Sequence, residues 1–312
     1  MPLNLADIML ARYRISPYLA PTPLEQAMGF EQVYFKLENQ NKTHSFKIRG
    51  AINALLALSE TEKQKGIITV SSGNHAQAIA YAAKLSGTQA KIIMPAHTPQ
   101  KKVKGAQFWG AEVLLDAKNF DEAELKGRQI EKEQGLYFIS PYNDPQVVAG
   151  AGTCGVEIID QLADLERLVV PISGGGLMAG VACAVKSLKP DVEIIGVNAR
   201  TSPAMYNLFY DQHLAHNDET LAEALSGDIE AGSITIELCK QYVDQIVLVD
   251  ETQIAQAMRW MLEVQGLLTE GGAVVGVAAL LNNLIPTDGK KTVVVISGAN
   301  VDSATIQKIL KD

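Results

Sequence analysis

Basic residues are in the minority in this chain. Its 27 lysines and arginines are outnumbered by 35 aspartates and glutamates, for a formal net charge of −8. A nucleic-acid partner calls for a positive face, and this composition argues against one. Small anionic ligands stay open, because backbone N–H groups at a helix start hold phosphate without any basic side chain. No apolar run approaches the roughly 20 residues of a membrane helix. The opening segment MPLNLADIMLARYR also lacks the basic-then-apolar order of a signal peptide. Cysteine is scarce: Cys154, Cys183 and Cys239 are widely spaced among apolar or small residues, with no CxxC pair. They read as reduced core residues rather than disulfides or nucleophiles. The five histidines form no HExxH-like spacing, so no metal site is expected, and His213 and His216 in a polar loop read as solvated surface. A Ser-His-Asp hydrolase has no GxSxG elbow to stand on. No internal repeat or low-complexity tract points to a solenoid or a linker. A cytoplasmic enzyme is the default expectation.

What the chain does have is an ordinary globular balance, 47% hydrophobic and 20% charged over 312 residues, enough for a large core. Apolar runs alternate with helical patterns. VYFKLE (33–38), GIITVS (66–71), AKIIMP (90–95), AEVLLD and LYFIS read as strands, then, after a change of punctuation at PYNDP (141–145), RLVVPIS, VEIIGVNA, QIVLVD and TVVVIS. The later runs lack period-2 alternation, as strands covered on both faces should. This predicts a doubly wound α/β fold of two lobes, each a mainly parallel sheet flanked by helices. Residues 1–56 and 141–312 are expected to form the larger lobe and 57–140 the smaller. The ligand then belongs at the carboxyl ends of strands, in the crevice between lobes.

Three places carry chemistry and a fourth only imitates a site. SGGG (173–176) follows a strand and opens a helix, so its N–H groups can converge on an anion without an intruding Cβ. A plain glycine turn packing helix on strand is the equal alternative. GAGTCG (150–155) spells G-x-G-x-x-G, but PQVVA before it is a weak strand at best and no acid-ended second strand follows at the right distance, so a dinucleotide site is not expected. SSGNHA (71–76) sits at a strand-to-helix turn suited to a carboxylate, with His75 either a base or a packed structural residue. Lys47 follows Ser45-Phe46 at a helix start between apolar neighbours, where desolvation and the helix dipole lower an amine's pKa, as a Schiff-base lysine requires. On local context alone, a surface helix lysine is the commoner case.

Taken in order, KLENQNKTHSFKIRGA, SSGNHA, PISGGGLMAG and ISGANVD resemble the threonine dehydratase/serine racemase group of fold-type II pyridoxal 5'-phosphate (PLP) enzymes, whose architecture is that of the tryptophan synthase β subunit. The resemblance implies that Lys47 carries PLP as a Schiff base and that Phe46 lies beside the ring. It implies that Asn74 meets the ring hydroxyl, that Ser173, Gly174, Gly175, Gly176 and Leu177 hold the phosphate, and that Ser297 faces the ring nitrogen. Glu270 matches a shared acidic position near the ring. Ser71, Ser72, Gly73 and His75 would surround the substrate carboxylate, with Ser72 also opposite Lys47 across Cα. The implied activity is β-elimination from a small β-hydroxy amino acid such as L-threonine or L-serine, giving a 2-oxo acid and ammonia. Lys47 would serve as Cα base in a homodimer without membrane or nucleic-acid partners.

The departures are specific. The family's glycine before Ser-Phe-Lys is His44, its first phosphate-loop glycine is Ser173, and Ala151 stands in AGAGT. The cation carboxylates of serine racemases fall near Asn198, Ser202 and Ala204, an oxygen-poor set. Ser72 keeps open a serine racemase with dehydratase side activity, or a hydroxyaspartate dehydratase. With ISGANVD close to the last residue, the effector-binding domain of biosynthetic threonine dehydratases is not expected.

Overall fold

The computed structural model describes residues 3–217 and 219–311. Its strands in chain order are β1 (Leu24–Gln26), β2 (Val33–Leu37), β3 (Ile67–Val70), β4 (Ala90–Ile93), β5 (Glu112–Leu114), β6 (Tyr137–Phe138), β7 (Arg167–Pro171), β8 (Glu193–Ala199), β9 (Gln245–Val249) and β10 (Thr292–Ile296). They form two sheets, ordered β1-β2-β10-β7-β8-β9 and β5-β4-β3-β6. All pairings are parallel except the antiparallel edge pair of β1 with β2. The central strands β7 and β10 are buried along their whole length, which is why their sequences are apolar without alternation. β1 escapes the sequence reading because LEQ is three largely exposed residues behind Pro21 and Pro23, with no apolar run to betray it.

One reading needs correction. PQVVA is not a strand: Pro145–Gln161 is a single helix, capped by Asp144, whose carboxylate accepts from the N–H groups of Gln146 and Val147. The glycines of GAGTCG serve close helix packing. A Cβ on Gly150 would stand 2.6 Å from the Arg49 carbonyl oxygen, on Gly152 2.8 Å from that of Gly180, and on Gly155 2.8 Å from that of Val181. The G-x-G-x-x-G spelling therefore reports helix seams, not a nucleotide turn.

The helix Lys47–Ala57 connects the two halves. It packs against both Pro145–Gln161 and Asn74–Ser86. Its Ile48, Ala51, Ile52 and Leu55 share one core with Ile67, Ile79 and Ile92 of the smaller sheet's layer. On another face of the same helix, Arg49 is fully buried. Its guanidinium grips Glu38 (2.6 and 2.8 Å) and Glu157 (2.6 and 2.7 Å), and Lys36 Nζ donates to Glu157 (2.7 Å), to the Thr22 carbonyl and to Gln161. Burial pushes the Glu38 carboxyl up, but the charge and hydrogen bonds of Arg49 outweigh this and hold it below the ordinary carboxylate range.

Candidate active site

The functional candidates gather at the carboxyl ends of β2, β3, β7 and β10, where open parallel sheets place their ligands. Lys47 begins its helix, and its amine donates 2.7 Å to the Pro141 carbonyl. Among the described residues no carboxylate pairs with it directly. Burial lowers its pKa to about 8, and the charge of Glu270 opposes that shift. The Phe46 ring lies beside the amine, its centroid 5.2 Å from Nζ. Backbone pairing brings β10's end alongside: Phe46 N–H donates to the Ser297 carbonyl (3.0 Å), and Ser45 bridges Gly298.

The glycine turn is built against the same spot. Next to Pro141, the ring of Tyr142 lies where a Cβ on Gly174 would fall, 2.7 Å away. Gly175 has φ +84°, and a Cβ there would meet Met205 Cε at 2.8 Å and Thr235 Cβ at 2.9 Å. Only glycine fits both positions. The helix Gly176–Leu188 that follows has no side chain capping its start, so its first N–H groups face outward unclaimed by the chain's own cap. The Ser173 hydroxyl donates to the Leu225 carbonyl (2.9 Å), so what Ser173 offers an anion is its backbone N–H. Leu177 turns its side chain into the core.

Ser71, Ser72 and Gly73 form the second turn, at the start of helix Asn74–Ser86, which also lacks a side-chain cap. Gly73 N–H donates to Ser71 Oγ (3.3 Å), and Ser72 is half-buried. His75 is buried and neither ring nitrogen makes a well-formed hydrogen bond, although the Ile139 backbone lies near enough to favour the protonated ring slightly. Burial, then the Lys47 charge, push its pKa to about 3, so it is a neutral imidazole at any working pH.

Asn74 Nδ2 donates to Glu270 Oε1 (2.6 Å), and Asn74 Oδ1 accepts from Asn300 Nδ2 (2.6 Å). Burial raises the Glu270 pKa to about 7, against the hydrogen bond from Asn74 and a further one from the Asn300 backbone. Gly298 makes this pair possible, since a Cβ there would stand 2.3 Å from Glu270 Oε1.

Two of the departures lie away from this cluster. His44 takes the left-handed φ of +56° that a glycine would adopt freely, and its side chain is exposed, so it does not crowd Lys47. Ala151 is buried in the helix core. Asn198 and Ser202 brace their own loop: Asn198 Nδ2 donates to the Ser202 carbonyl (2.8 Å), and Ser202 Oγ to that of Leu225 (3.1 Å). Sequence reasoning missed Pro141, Tyr142, Thr235 and Asn300. Pro141 and Tyr142 lie in PYNDP, which drew notice only as punctuation.

These residues fit PLP in their chemistry. An unpaired amine of lowered pKa, two uncapped helix starts for phosphate and carboxylate, and a neutral hydroxyl and amide for the ring edges make up the donor set. An amine of lowered pKa beside two mainly parallel sheets has the chemistry that a carbonyl cofactor requires. The chain belongs to the pyridoxal-phosphate dependent enzyme family, whose sequence pattern matches residues 15–298. It is 43% identical over 289 residues to an L-threonine ammonia-lyase of Thermotoga maritima, covering 92% of this chain and 71% of that protein. It is 39% identical to the catabolic L-threonine dehydratase TdcB of Staphylococcus aureus, over 99% of this chain and 92% of that one. Maize serine racemase superposes with a TM-score of 0.91 at 29% identity, covering 100% and 98% of the two chains. Processed threonine deaminase isoform 2 of Solanum lycopersicum gives 0.90 at 31%, covering 100% and 90%. The two-lobed fold-type II architecture and the PLP cofactor follow. Among the described residues, no helix is long and apolar enough to cross a membrane.

Proposed function

We propose that this chain is a PLP-dependent ammonia-lyase that eliminates water from a small β-hydroxy amino acid, L-threonine or L-serine, and yields a 2-oxo acid and ammonia. The observation that carries the reading is the Lys47 amine, free of a carboxylate partner among the described residues and lowered to about 8, bonded to the Pro141 carbonyl beside the Tyr142 ring on which the glycine turn packs. The relatives named L-threonine ammonia-lyase and dehydratase support the substrate class.

Bound PLP supplies an electron sink for the charge that develops at Cα. Gly174, Gly175, Gly176, Leu177 and Ser173 present backbone N–H groups to its phosphate. Asn74 and Ser297 meet the ring edges, and the neutral Ser297 hydroxyl leaves the ring nitrogen without an enforced charge. Ser71, Ser72, Gly73 and His75 hold the substrate carboxylate, and His75, neutral throughout, orients rather than titrates. Lys47, once its amine is free, takes the Cα proton as general base. Hydroxide leaves from Cβ, and the released enamine hydrolyses to the 2-oxo acid and ammonia. Residues 1–56 with 141–312 act as the PLP-binding lobe and 57–140 as the smaller one, in a cytoplasmic homodimer.

The test is a panel of L-threonine, L-serine and 3-hydroxyaspartate with purified protein and PLP, assayed with and without Mg2+. Formation of 2-oxo acid from at least one is expected; none from any of the three removes the proposal. A second reading, serine racemase with side dehydration, is favoured by the half-buried Ser72 on the substrate turn and by the serine racemase likeness. Chiral separation after incubation with L-serine decides it: D-serine that disappears in Ser72→Ala supports a second protonation face, and no D-serine in the unaltered enzyme ends it.

A further inference from the structure

Asn300, Asn74 and Glu270 form a chain of hydrogen bonds. Asn300 Nδ2 donates to Asn74 Oδ1 (2.6 Å) and Asn74 Nδ2 donates to Glu270 Oε1 (2.6 Å), while the Asn300 backbone lies near enough to favour the Glu270 carboxylate. The second hydrogen of Asn300 Nδ2 goes to the Thr43 carbonyl (2.9 Å), so the amide of Asn300 cannot turn over without losing both bonds. Every direction in the chain is therefore fixed. Above its pKa of about 7 Glu270 only accepts, so it faces the N–H side of Asn74. The Asn300 amide presents N–H groups, so it must face the oxygen side. Asn74 and Glu270 are both more than nine-tenths buried, which removes water as a substitute partner.

With its oxygen and one N–H engaged, Asn74 has one group left to offer, the second Nδ2–H. An N–H can only donate. It stabilises an oxygen that carries negative charge and offers nothing to a hydroxyl that needs an acceptor. A flipped Asn74 amide would present its carbonyl instead and favour a protonated ring oxygen.

We propose that Asn300 is a positioning residue. Through Asn74 and Glu270 it locks the Asn74 amide with its N–H face towards the ring oxygen of PLP, and so holds that oxygen as an anion. The inference rests on the reading that Lys47 carries PLP with Asn74 at the ring oxygen, and it assigns to Asn300 and Glu270 the choice of proton state there. When the lock is lost, the proton shared between the lysine-derived nitrogen and the ring oxygen moves to the oxygen. No other atom changes hands, and the visible absorbance of the bound cofactor gives way to a near-ultraviolet band.

The experiment is the absorbance spectrum of holoenzyme without substrate at one mildly alkaline pH, where Glu270 is ionised, for the unaltered enzyme, Lys47→Ala, Asn300→Ala and Glu270→Gln. Lys47→Ala should abolish the visible band; a retained band defeats the underlying reading of Lys47. Given that loss, Asn300→Ala should lower the ratio of visible to near-ultraviolet absorbance by about tenfold, the worth of one charge-assisted hydrogen bond. Glu270→Gln keeps the side-chain shape but removes the negative charge that holds the N–H side of Asn74. It should move the ratio in the same direction, and it stands in where Asn300→Ala fails to fold. An unchanged ratio in the folded variants, with PLP still bound, overturns the lock while leaving Lys47 as the anchor.

Discussion

Lys47 and Arg49 lie two residues apart on one helix and inhabit opposite electrostatic settings. Positions i and i+2 point to different sides of a helix. On one side Arg49, Lys36, Glu38 and Glu157 form a closed set of two positive and two negative groups. Each charge there has a partner, and the carboxyl of Glu38 is held low. On the other side half-buried Lys47 and buried Glu270 have no ion-pair partner among the described residues, and both move towards neutrality, to about 8 and about 7. The first arrangement keeps charges fixed and has nothing to offer a ligand. The second leaves an amine that titrates near working pH, with its hydrogen-bonding capacity open. Burial is common to the two; satisfaction of the buried charges separates structure from chemistry.

Substituting the two residues in turn is the sharpest way to break the comparison. Lys47→Ala should reduce 2-oxo acid formation at least about 10^4-fold, because anchor and base vanish together. Its urea midpoint as apoenzyme should not fall, since a poorly solvated amine is removed. Arg49→Met should do the reverse to stability, costing about 3–5 kcal/mol in urea unfolding, because two carboxylates lose their counter-charge in a dry site. An Arg49→Met protein as stable as the unaltered one would show that the network is not a closed set.

The two regions should also respond to pH with opposite sign. Glu38 has a lowered folded pKa, so its contribution is present above the ordinary carboxylate value and is lost as pH falls through the folded one. Glu270 has a raised folded pKa, so the native state binds the extra proton. Its contribution is present below the usual 4.5 and is lost as pH rises through about 7. Comparing apo Glu270→Gln with the unaltered protein at pH 5 and pH 8 should therefore show the variant gaining, relatively, on the order of 3 kcal/mol at the higher pH. The smallest effect expected is at His44. Replacing this exposed, left-handed residue by glycine should raise stability by no more than about 1 kcal/mol and leave activity alone.

Much of this was legible in the sequence. Nine of the ten strands stand out as apolar runs, because central parallel strands must be apolar on both faces. The turns at 71–73 and 173–175 stood out because strand ends carrying Ser, Gly and Asn are poor in packing and rich in donors. The ion network left no such mark: Lys36, Glu38, Arg49 and Glu157 look like surface charges until the helices close over them. Asn300 was in plain view within ISGANVD, but its importance lies in a partner 226 residues away. GAGTCG was rightly set aside as a nucleotide turn, but its helix-contact role stayed hidden, because glycines needed for helix contact and glycines needed for a turn are spelled alike.

The helix Lys47–Ala57 has a practical consequence for anyone dividing this protein. Ile48, Ala51, Ile52 and Leu55 complete the core under the smaller sheet, together with Ile15 and Leu19 from the first helical segment and the residue that follows it closely. A gene fragment encoding 57–140 alone would produce a sheet with its inner face uncovered, a recipe for inclusion bodies. The unit that can be expressed is the one that keeps the lysine's helix attached.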